Sequence, residues 1–180
     1  TSTDKIQRNV LRDREIARLT QEKPAADPQV ASEVAQSTEK TRASGADCDG
    51  AESVLLALAE LQGIESGVIP RIATAFGSGM AETHGTCGAL TGGIMGLSLA
   101  LGRNDLGESV DTCHAATRKL IGEFEKEFGA RNCDALLGCD IGTQEGRAKF
   151  QEDHLRERCA EFSSWVTETA TTLISNAQAG

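Results

Sequence analysis

The sequence predicts an all-α protein, a compact bundle-like or orthogonal packing of about five to seven helices. From residue 50 onward, apolar residues recur at the helical spacing of three and four, and no stretch shows the alternation of a half-buried strand. Aromatic residues make up only 3% of the 180 residues, which is poor for a β-sandwich or barrel core. All three prolines lie in the first 70 residues, so none interrupts a helix later in the chain.

The first 46 residues differ in composition from the rest. They are rich in Glu, Gln, Lys, Arg, Ser and Ala, carry few large apolar residues, and are broken by the stretch 23–28 with its two prolines. We therefore predict a polar helical N-terminal arm at 1–46 and a cysteine-containing helical domain at 47–180. The arm is interpreted either as a solvated extension or as a surface for a partner, including a second copy of the chain as a homodimer.

The first half of the helical domain contains two predicted helices and a Gly-rich segment. The first helix ends near Gly63, and a second short helix is predicted over 68–76. An irregular turn at 77–80 leads into a Gly-rich apolar helix over 86–101, whose small residues allow another backbone to approach closely. The apolar face of the first helix is Ala51, Val54, Leu55, Leu58 and Leu61.

The second half contains the clearest helical pattern. Asp105 and Glu108 resemble a capping box at its start. A short turn of helix at 133–137 is predicted between Asn132 as N-cap and Gly138 as C-cap, and a polar connection leads to the last helix. The two long helices have the apolar faces Val110, Cys113, Thr117, Leu120, Ile121, Phe124, Phe128 and Leu155, Cys159, Phe162, Val166, Ala170, Leu173.

Charge and hydropathy exclude several classes of function. Lys and Arg number 18 against 27 Asp and Glu, and the net charge of −9 argues against nucleic acid and anionic membrane surfaces. No apolar run approaches the ~18–20 residues of a membrane span. Residues 1–19 have no apolar segment of the kind a secretory signal needs, so a cytoplasmic location is expected.

Six cysteines are the main chemical feature, although none forms a Cys-x-x-Cys pair. Cys87 lies at the start of the Gly-rich helix, where Thr83 or Thr86 would cap it, and Cys133 follows the Asn132 cap. Free N–H groups at such helix starts stabilise a thiolate. Cys139 lies in the loop beyond Gly138.

Cys159 follows Arg156 and Arg158, whose charges also favour a thiolate. If the segments carrying Cys87, Cys133, Cys139 and Cys159 meet at one end of the bundle, the four thiolates would suit an iron–sulfur cluster or Zn²⁺.

The remaining cysteines and the histidines have competing interpretations. Cys113 is predicted to be a buried core thiol, and core packing is an alternative for Cys159. Cys48 lies in an acidic turn and is either inert or a fifth ligand or redox partner. Disulfide pairing cannot be deduced for six cysteines. His84 is a candidate ligand or proton carrier, including for a noncovalent haem, whereas the other histidines, His114 and His154, are predicted to be surface residues.

Several blocks of the chain resemble a family of redox-active proteins named for a C…GCAxxG…C…C pattern. Over roughly residues 30–170 the resemblance rests on 51–57, 76–80, Thr86–Gly92, 132–140 and 158–162. The chain reads Cys-Gly-Ala where the family name has Gly-Cys-Ala. In the family the first cysteine usually comes directly before the block that corresponds to 51–57, whereas two residues separate Cys48 from that block here. Ala160 stands where the family often has proline. The resemblance implies a small helical cysteine protein that binds a metal or iron–sulfur centre in electron-transfer or redox contexts.

The leading hypothesis is therefore a small redox protein that holds an iron–sulfur or other metal centre and exchanges electrons with a redox partner protein. The predicted ligands are Cys87, Cys133, Cys139 and Cys159, with Cys48 as an extra or substitute ligand. Two alternatives stay open. One is a metal-free thiol–disulfide oxidoreductase with Cys87 as nucleophile and another cysteine as the resolving thiol. The other is a structural zinc-binding or partner-binding module.

Overall fold

A computed structural model describes residues 50–178, which form seven helices. Their bounds are α1 Gly50–Leu61, α2 Gly77–Glu82, α3 Gly88–Leu101, α4 Asp111–Phe128, α5 Cys133–Leu137, α6 Gln144–Glu152 and α7 Arg156–Gln178, with a 3-10 helix at Thr74–Phe76 before α2. The β-type backbone pairing within residues 50–178 is an isolated antiparallel bridge between Thr86 and Asn132. The all-α prediction is confirmed, while the predicted arm at 1–46 lies outside the described residues.

Helix α3 occupies the centre of the packing because its glycines let neighbouring helices approach closely. An ideal Cβ built on Gly96 would lie 2.2 Å from Leu58 Cδ1 of α1. One built on Gly93 would lie 2.3 Å from Val166 Cγ1 of α7. Real Cβ atoms do not come this close to a neighbour, so hydrogen atoms at these positions are what allow α1 and α7 to pack on α3.

Four aromatic rings join α4 to α7 on the other side of the core. Phe124 and Phe128 of α4 pair with each other and with Phe162 and Trp165 of α7, and the ring centroids in these five tilted or edge-on pairs lie 4.8 to 5.9 Å apart. Such pairs stabilise a core beyond their burial alone. Four of the six aromatic residues in the chain are thus gathered in one place.

Two predictions about the connecting segments were wrong. The stretch 68–76 forms turns and a 3-10 helix rather than a short α-helix, because Val68 and Ile72 are about half exposed and Ala73 is the one buried residue of the stretch, too little to support a helix. Helix α4 begins at Asp111 rather than near Asp105. The carboxylate of Glu108 does reach back, accepting the backbone N–H groups of Asn104 at 2.9 Å and Asp105 at 3.4 Å, but it stabilises a loop.

The polar connection before the last helix also contains a helix that the sequence pattern did not reveal. Helix α6 presents mostly polar side chains, and only Gly146 is buried among its residues. Its start is fixed by Thr143, whose hydroxyl accepts the N–H of Gly146 at 3.0 Å. None of the helices in residues 50–178 is long and apolar enough to cross a membrane.

Candidate functional site

A cleft of about 1150 Å³ opens between the ends of several helices, and three cysteines line it. Cys87 comes from the start of α3, Cys133 from the start of α5, and Cys159 from the first turn of α7. Cys87 and Cys133 are buried, at 7% and 8% exposure, and Cys159 is half-buried. Three segments that are distant in sequence therefore contribute thiols to the lining of one cavity.

The isolated bridge between Thr86 and Asn132 aligns Cys87 with Cys133. The N–H of Cys87 donates to the carbonyl of Arg131 at 2.8 Å, and the N–H of Cys133 donates to the carbonyl of Gly85 at 3.0 Å. Both chains then turn directly into a helix, with Cys87 as the N-cap of α3 and Cys133 as the first residue of α5. The two cysteines are diagonal neighbours, a relation that separates residues by roughly 7–8 Å in a regular ladder.

The predicted caps are partly corrected by this arrangement. Cys87 itself is the N-cap residue of α3, in place of the threonines expected there, and no side chain caps that helix. Asn132 and Gly138 flank α5 as predicted, and Gly138 adopts the left-handed conformation at φ 65°. The Asn132 side chain makes no capping hydrogen bond, so the bridge rather than a cap holds this helix start.

Helix α2 forms one wall of the cleft and is wound left-handed. Residues 78–81 have φ between 49° and 68° with ψ between 36° and 67°, and Glu82 continues with φ 64°. For residues other than glycine this conformation costs roughly 1–2 kcal/mol each. Strain of this kind collects at functional sites, and here it places Ser78 and Glu82 on the cleft lining.

A smaller cavity adjoins the cleft and contains Cys139. The two cavities share Ser78, Glu82, Cys133 and Ile141, so Cys133 borders both the cleft and the cavity that Cys139 lines. The exposed imidazole of His84 lies here too, with Nδ1 3.7 Å from Asp134 Oδ2 and Nε2 3.6 Å from Asp140 Oδ2.

The surroundings of Cys139 favour the protonated thiol. Burial raises the pKa of Cys139 above its ordinary value, the charge of Lys149 lowers it, and the carboxylates of Asp153 and Asp140 raise it further. A thiol in this state becomes a good ligand only when a metal displaces its proton.

Arg156 lines the cleft near Cys159, but Arg158 does not. The Arg158 guanidinium lies 5.3 Å from the ring centroid of Phe162 and 3.9 Å from Glu161, so its charge is engaged elsewhere. Of the two arginines predicted to stabilise a Cys159 thiolate, Arg156 shares the cleft lining with that cysteine and Arg158 does not.

Sequence reasoning missed an ion pair on the cleft lining. Arg147 Nη1 lies 3.1 Å from Glu82 Oε2 and donates to the carbonyl of Ile141 at 2.9 Å. The pair joins α6, which was not predicted, to the left-handed turn, which the sequence predicted only as an irregular turn at 77–80. Thr143, a good N-cap residue ahead of several helix formers, was the signal that would have found α6.

The other candidate residues lie apart from the cleft or at its edge. Cys113 is 7% exposed on α4, with Sγ 3.9 Å from Ser98 Oγ, which confirms it as a buried core thiol. His114 is exposed as predicted, and His154 is exposed but lines the cleft. Cys48 lies outside the described residues. Gly50, two residues later in the sequence, lines the cleft.

The described side chains do not form a ready-made site for a single metal ion. Between residues 50 and 178, no group of three or more His, Cys, Asp and Glu residues is arranged to hold a metal ion. What the structure does bring together is a set of four thiols around two adjoining cavities, from three segments of the chain.

The fold and the cleft define a class: a small all-α protein whose thiols come from separate segments and converge on one cavity. A family model described as "Putative redox-active protein (C_GCAxxG_C_C)" matches residues 48–173, and the chain belongs to this family. No curated protein and no solved structure matches the chain.

Proposed function

We propose that the protein is a small electron-transfer protein that holds an iron–sulfur cluster through thiolates of the cleft. The observation that carries this proposal is the convergence of Cys87, Cys133 and Cys159 on one cavity, with Cys139 in the adjoining one. Cys48, which precedes the cleft-lining Gly50 by two residues in the sequence, is proposed as an additional or substitute ligand.

The chemistry of the donor set fits such a group. Thiolates are the soft ligands that iron–sulfur clusters use, and a cluster of several irons spreads its ligands further apart than a single ion does. A large cleft lined by thiols from three different helices suits a cluster better than zinc, which prefers ligands gathered tightly around one ion. When bound, the cluster would supply one-electron transfer.

The chain itself contributes the conditions that such a group needs. The N-terminus of the 14-residue helix α3 presents backbone N–H groups beside Cys87, and these favour negative charge. Arg156 adds a positive charge on the lining near Cys159. Both features stabilise thiolates and would influence the reduction potential of a cluster held by them.

The test is iron and sulfide analysis of anaerobically purified full-length protein, with absorption and electron paramagnetic resonance spectra. Replacing a thiolate by a hydroxyl at Cys87, Cys133 or Cys159 (to Ser) should weaken iron retention by about ten-fold or more. The matched control is Cys113→Ser, which alters an equally buried thiol outside the cleft and should leave iron unchanged.

Two results would contradict the cluster. One is a colourless protein that stays free of iron after reconstitution, and the other is equal iron loss in Cys113→Ser. Zinc found in place of iron, with the same dependence on the cleft cysteines, would favour the structural zinc module instead.

A metal-free thiol–disulfide oxidoreductase is the second candidate, favoured by the bridge that makes Cys87 and Cys133 diagonal neighbours, a separation that a small backbone movement would have to shorten before a disulfide forms. In this reaction the two thiols lose two protons and two electrons, and a substrate disulfide becomes two thiols. Mass mapping of metal-free protein treated with a disulfide oxidant should find Cys87 linked to another cysteine. Cys87 remaining unlinked while the protein stays folded would exclude this candidate.

We also propose a cytoplasmic location and a redox partner protein. A reducing compartment protects thiolates and iron–sulfur centres that lie on a cleft open to solvent. The arm at 1–46 is proposed as the contact for a homodimer, which size-exclusion chromatography of full-length and arm-deleted protein would detect.

A further inference from the structure

We propose that Gly79 is a positioning residue for Cys133, because the left-handed turn α2 rests directly on that cysteine and only glycine leaves room for it. The inference builds on the proposed function in treating Cys133 as a working thiol of the cleft. The contacts behind it do not depend on any bound group.

The contact between the turn and the cysteine involves atoms that cannot rotate away. An ideal Cβ on Gly79 would lie 2.5 Å from the Cβ of Cys133, 3.4 Å from its Sγ and 3.2 Å from the carbonyl oxygen of Gly85. The position of a Cβ follows from the backbone alone, so no change of side-chain rotamer relieves the clash. A side chain at residue 79 would therefore have to displace the backbone of Cys133 at the start of α5.

The turn cannot retreat easily, because hydrogen bonds tie it to the same bridge. The carbonyl of Gly79 accepts the N–H groups of Gly85 at 2.9 Å and Thr83 at 3.2 Å. The carbonyl of Gly85 in turn accepts the N–H of Cys133 at 3.0 Å. Gly79, Gly85 and Cys133 thus form one connected backbone unit.

The far end of the turn is held as well. The carboxylate of Glu82 pairs with Arg147 of α6 at 3.1 Å. This ion pair is exposed and adds only a weak tie, so the backbone hydrogen bonds that join Gly79, Gly85 and Cys133 are the main reason to expect that a displacement at residue 79 reaches Cys133.

Other glycines of the chain supply matched controls. Gly63 and Gly129 also have left-handed φ, 67° and 79°, but an ideal Cβ on either meets nothing within 4 Å. An alanine at these positions carries the same backbone strain as one at residue 79 without touching a cysteine. Comparing Gly79→Ala with Gly63→Ala therefore separates the effect of contact from the effect of strain.

The first experiment measures thiol alkylation in the reduced, metal-free full-length protein, with peptide mass spectrometry resolving each cysteine. Gly79→Ala should raise the rate at Cys133 by about five-fold or more, because the displaced thiol becomes accessible, and should leave Cys113 within about two-fold. Gly63→Ala should leave both rates unchanged. An unchanged Cys133 rate, or an equal rise at Cys113, would overturn the proposal.

The second experiment is a double-mutant cycle in urea that combines Gly79→Ala with Cys133→Gly, which removes the opposing Cβ. Gly79→Ala should lower the unfolding midpoint in the wild-type background and lower it much less in the Cys133→Gly background, to about the loss that Gly63→Ala produces. Equal shifts in the two backgrounds would overturn the positioning role. If Gly79→Ala alone does not fold, recovery of folding in the double variant supports the proposal, and failure to recover counts against it.

Both experiments use metal-free protein, so their outcome is independent of iron binding. A protein that never binds iron would end the electron-transfer proposal and leave the role of Gly79 intact. In iron-loaded protein, a changed resonance spectrum for Gly79→Ala and an unchanged one for Gly63→Ala would link the positioning of Cys133 to the cluster.

Discussion

In the core formed by α1, α3, α4 and α7 the backbone is regular, whereas the wall of the cleft is built from a left-handed turn, a five-residue helix and an isolated bridge. Glycine has a different structural role in each of the two regions. In the core, Gly93 and Gly96 let helices come together with ordinary helical backbone. In the wall, Gly79 combines a left-handed backbone with direct contact to a cysteine.

The regular core supplies the free energy that stabilises the strained wall. Each non-glycine residue of the left-handed turn costs roughly 1–2 kcal/mol. Each large apolar side chain buried in the core, such as Leu58, Leu120 or Phe124, contributes about 1.5–3 kcal/mol. A few core residues therefore offset the strain of the whole turn.

The largest expected effect comes from a glycine pair that tests the core. Gly96→Ala should lower the free energy of unfolding by about 1–3 kcal/mol, because the new Cβ would meet the Cδ1 of Leu58 at 2.2 Å and its Cβ at 2.8 Å. Gly122→Ala on α4 has open space and should raise it by about 0.5–1 kcal/mol, since alanine favours a helix. Urea unfolding measures both.

The same pair sharpens the contrast with the wall. Neither alanine should change the alkylation rate of Cys133 under native conditions, since neither site touches the turn or the bridge. If Gly96→Ala altered Cys133 as strongly as Gly79→Ala does, the core and the wall would behave as one unit and the contrast would be lost.

The sequence was a good guide wherever periodic burial decides the structure. The faces of α1, α4 and α7 follow the apolar spacing, and Phe124, Phe162 and Val166 are fully buried as expected. The close approach of helices at the Gly-rich segment was also predictable, because only glycine permits it. Among the thiols, Cys113 was correctly separated from the others because its neighbours on the helix face are apolar.

The cleft wall could not be predicted because its geometry depends on contacts between distant segments. Nothing in a Gly-Ser-Gly-Met run distinguishes a left-handed turn from an ordinary loop. The pairing of Thr86 with Asn132 joins residues 46 positions apart. The ion pair of Glu82 with Arg147 required α6, whose polar surface hides the helical period.

The smallest expected effect concerns the pH dependence of Cys139 in the adjoining cavity. Burial is the main cause of its raised pKa, so its alkylation in folded, metal-free protein should rise with pH at a higher midpoint than in urea-unfolded protein. Lys149→Gln should move the midpoint further up, since the lysine charge favours the thiolate. Asp153→Asn should move it down.

The raised pKa of Cys139 also determines how this thiol changes the stability of the fold with pH. Because the folded chain holds this proton more tightly than the unfolded chain does, the contribution of Cys139 is full below the ordinary thiol pKa and is lost as pH rises through the raised pKa. Cys139→Ser should therefore flatten the alkaline loss of stability slightly, as followed by urea midpoints across that pH range. Two results would contradict this: a steeper alkaline loss of stability in Cys139→Ser, or an alkylation midpoint of Cys139 that is lower in the folded than in the unfolded protein. Either would mean that the cavity stabilises the thiolate and already favours Cys139 as a metal ligand.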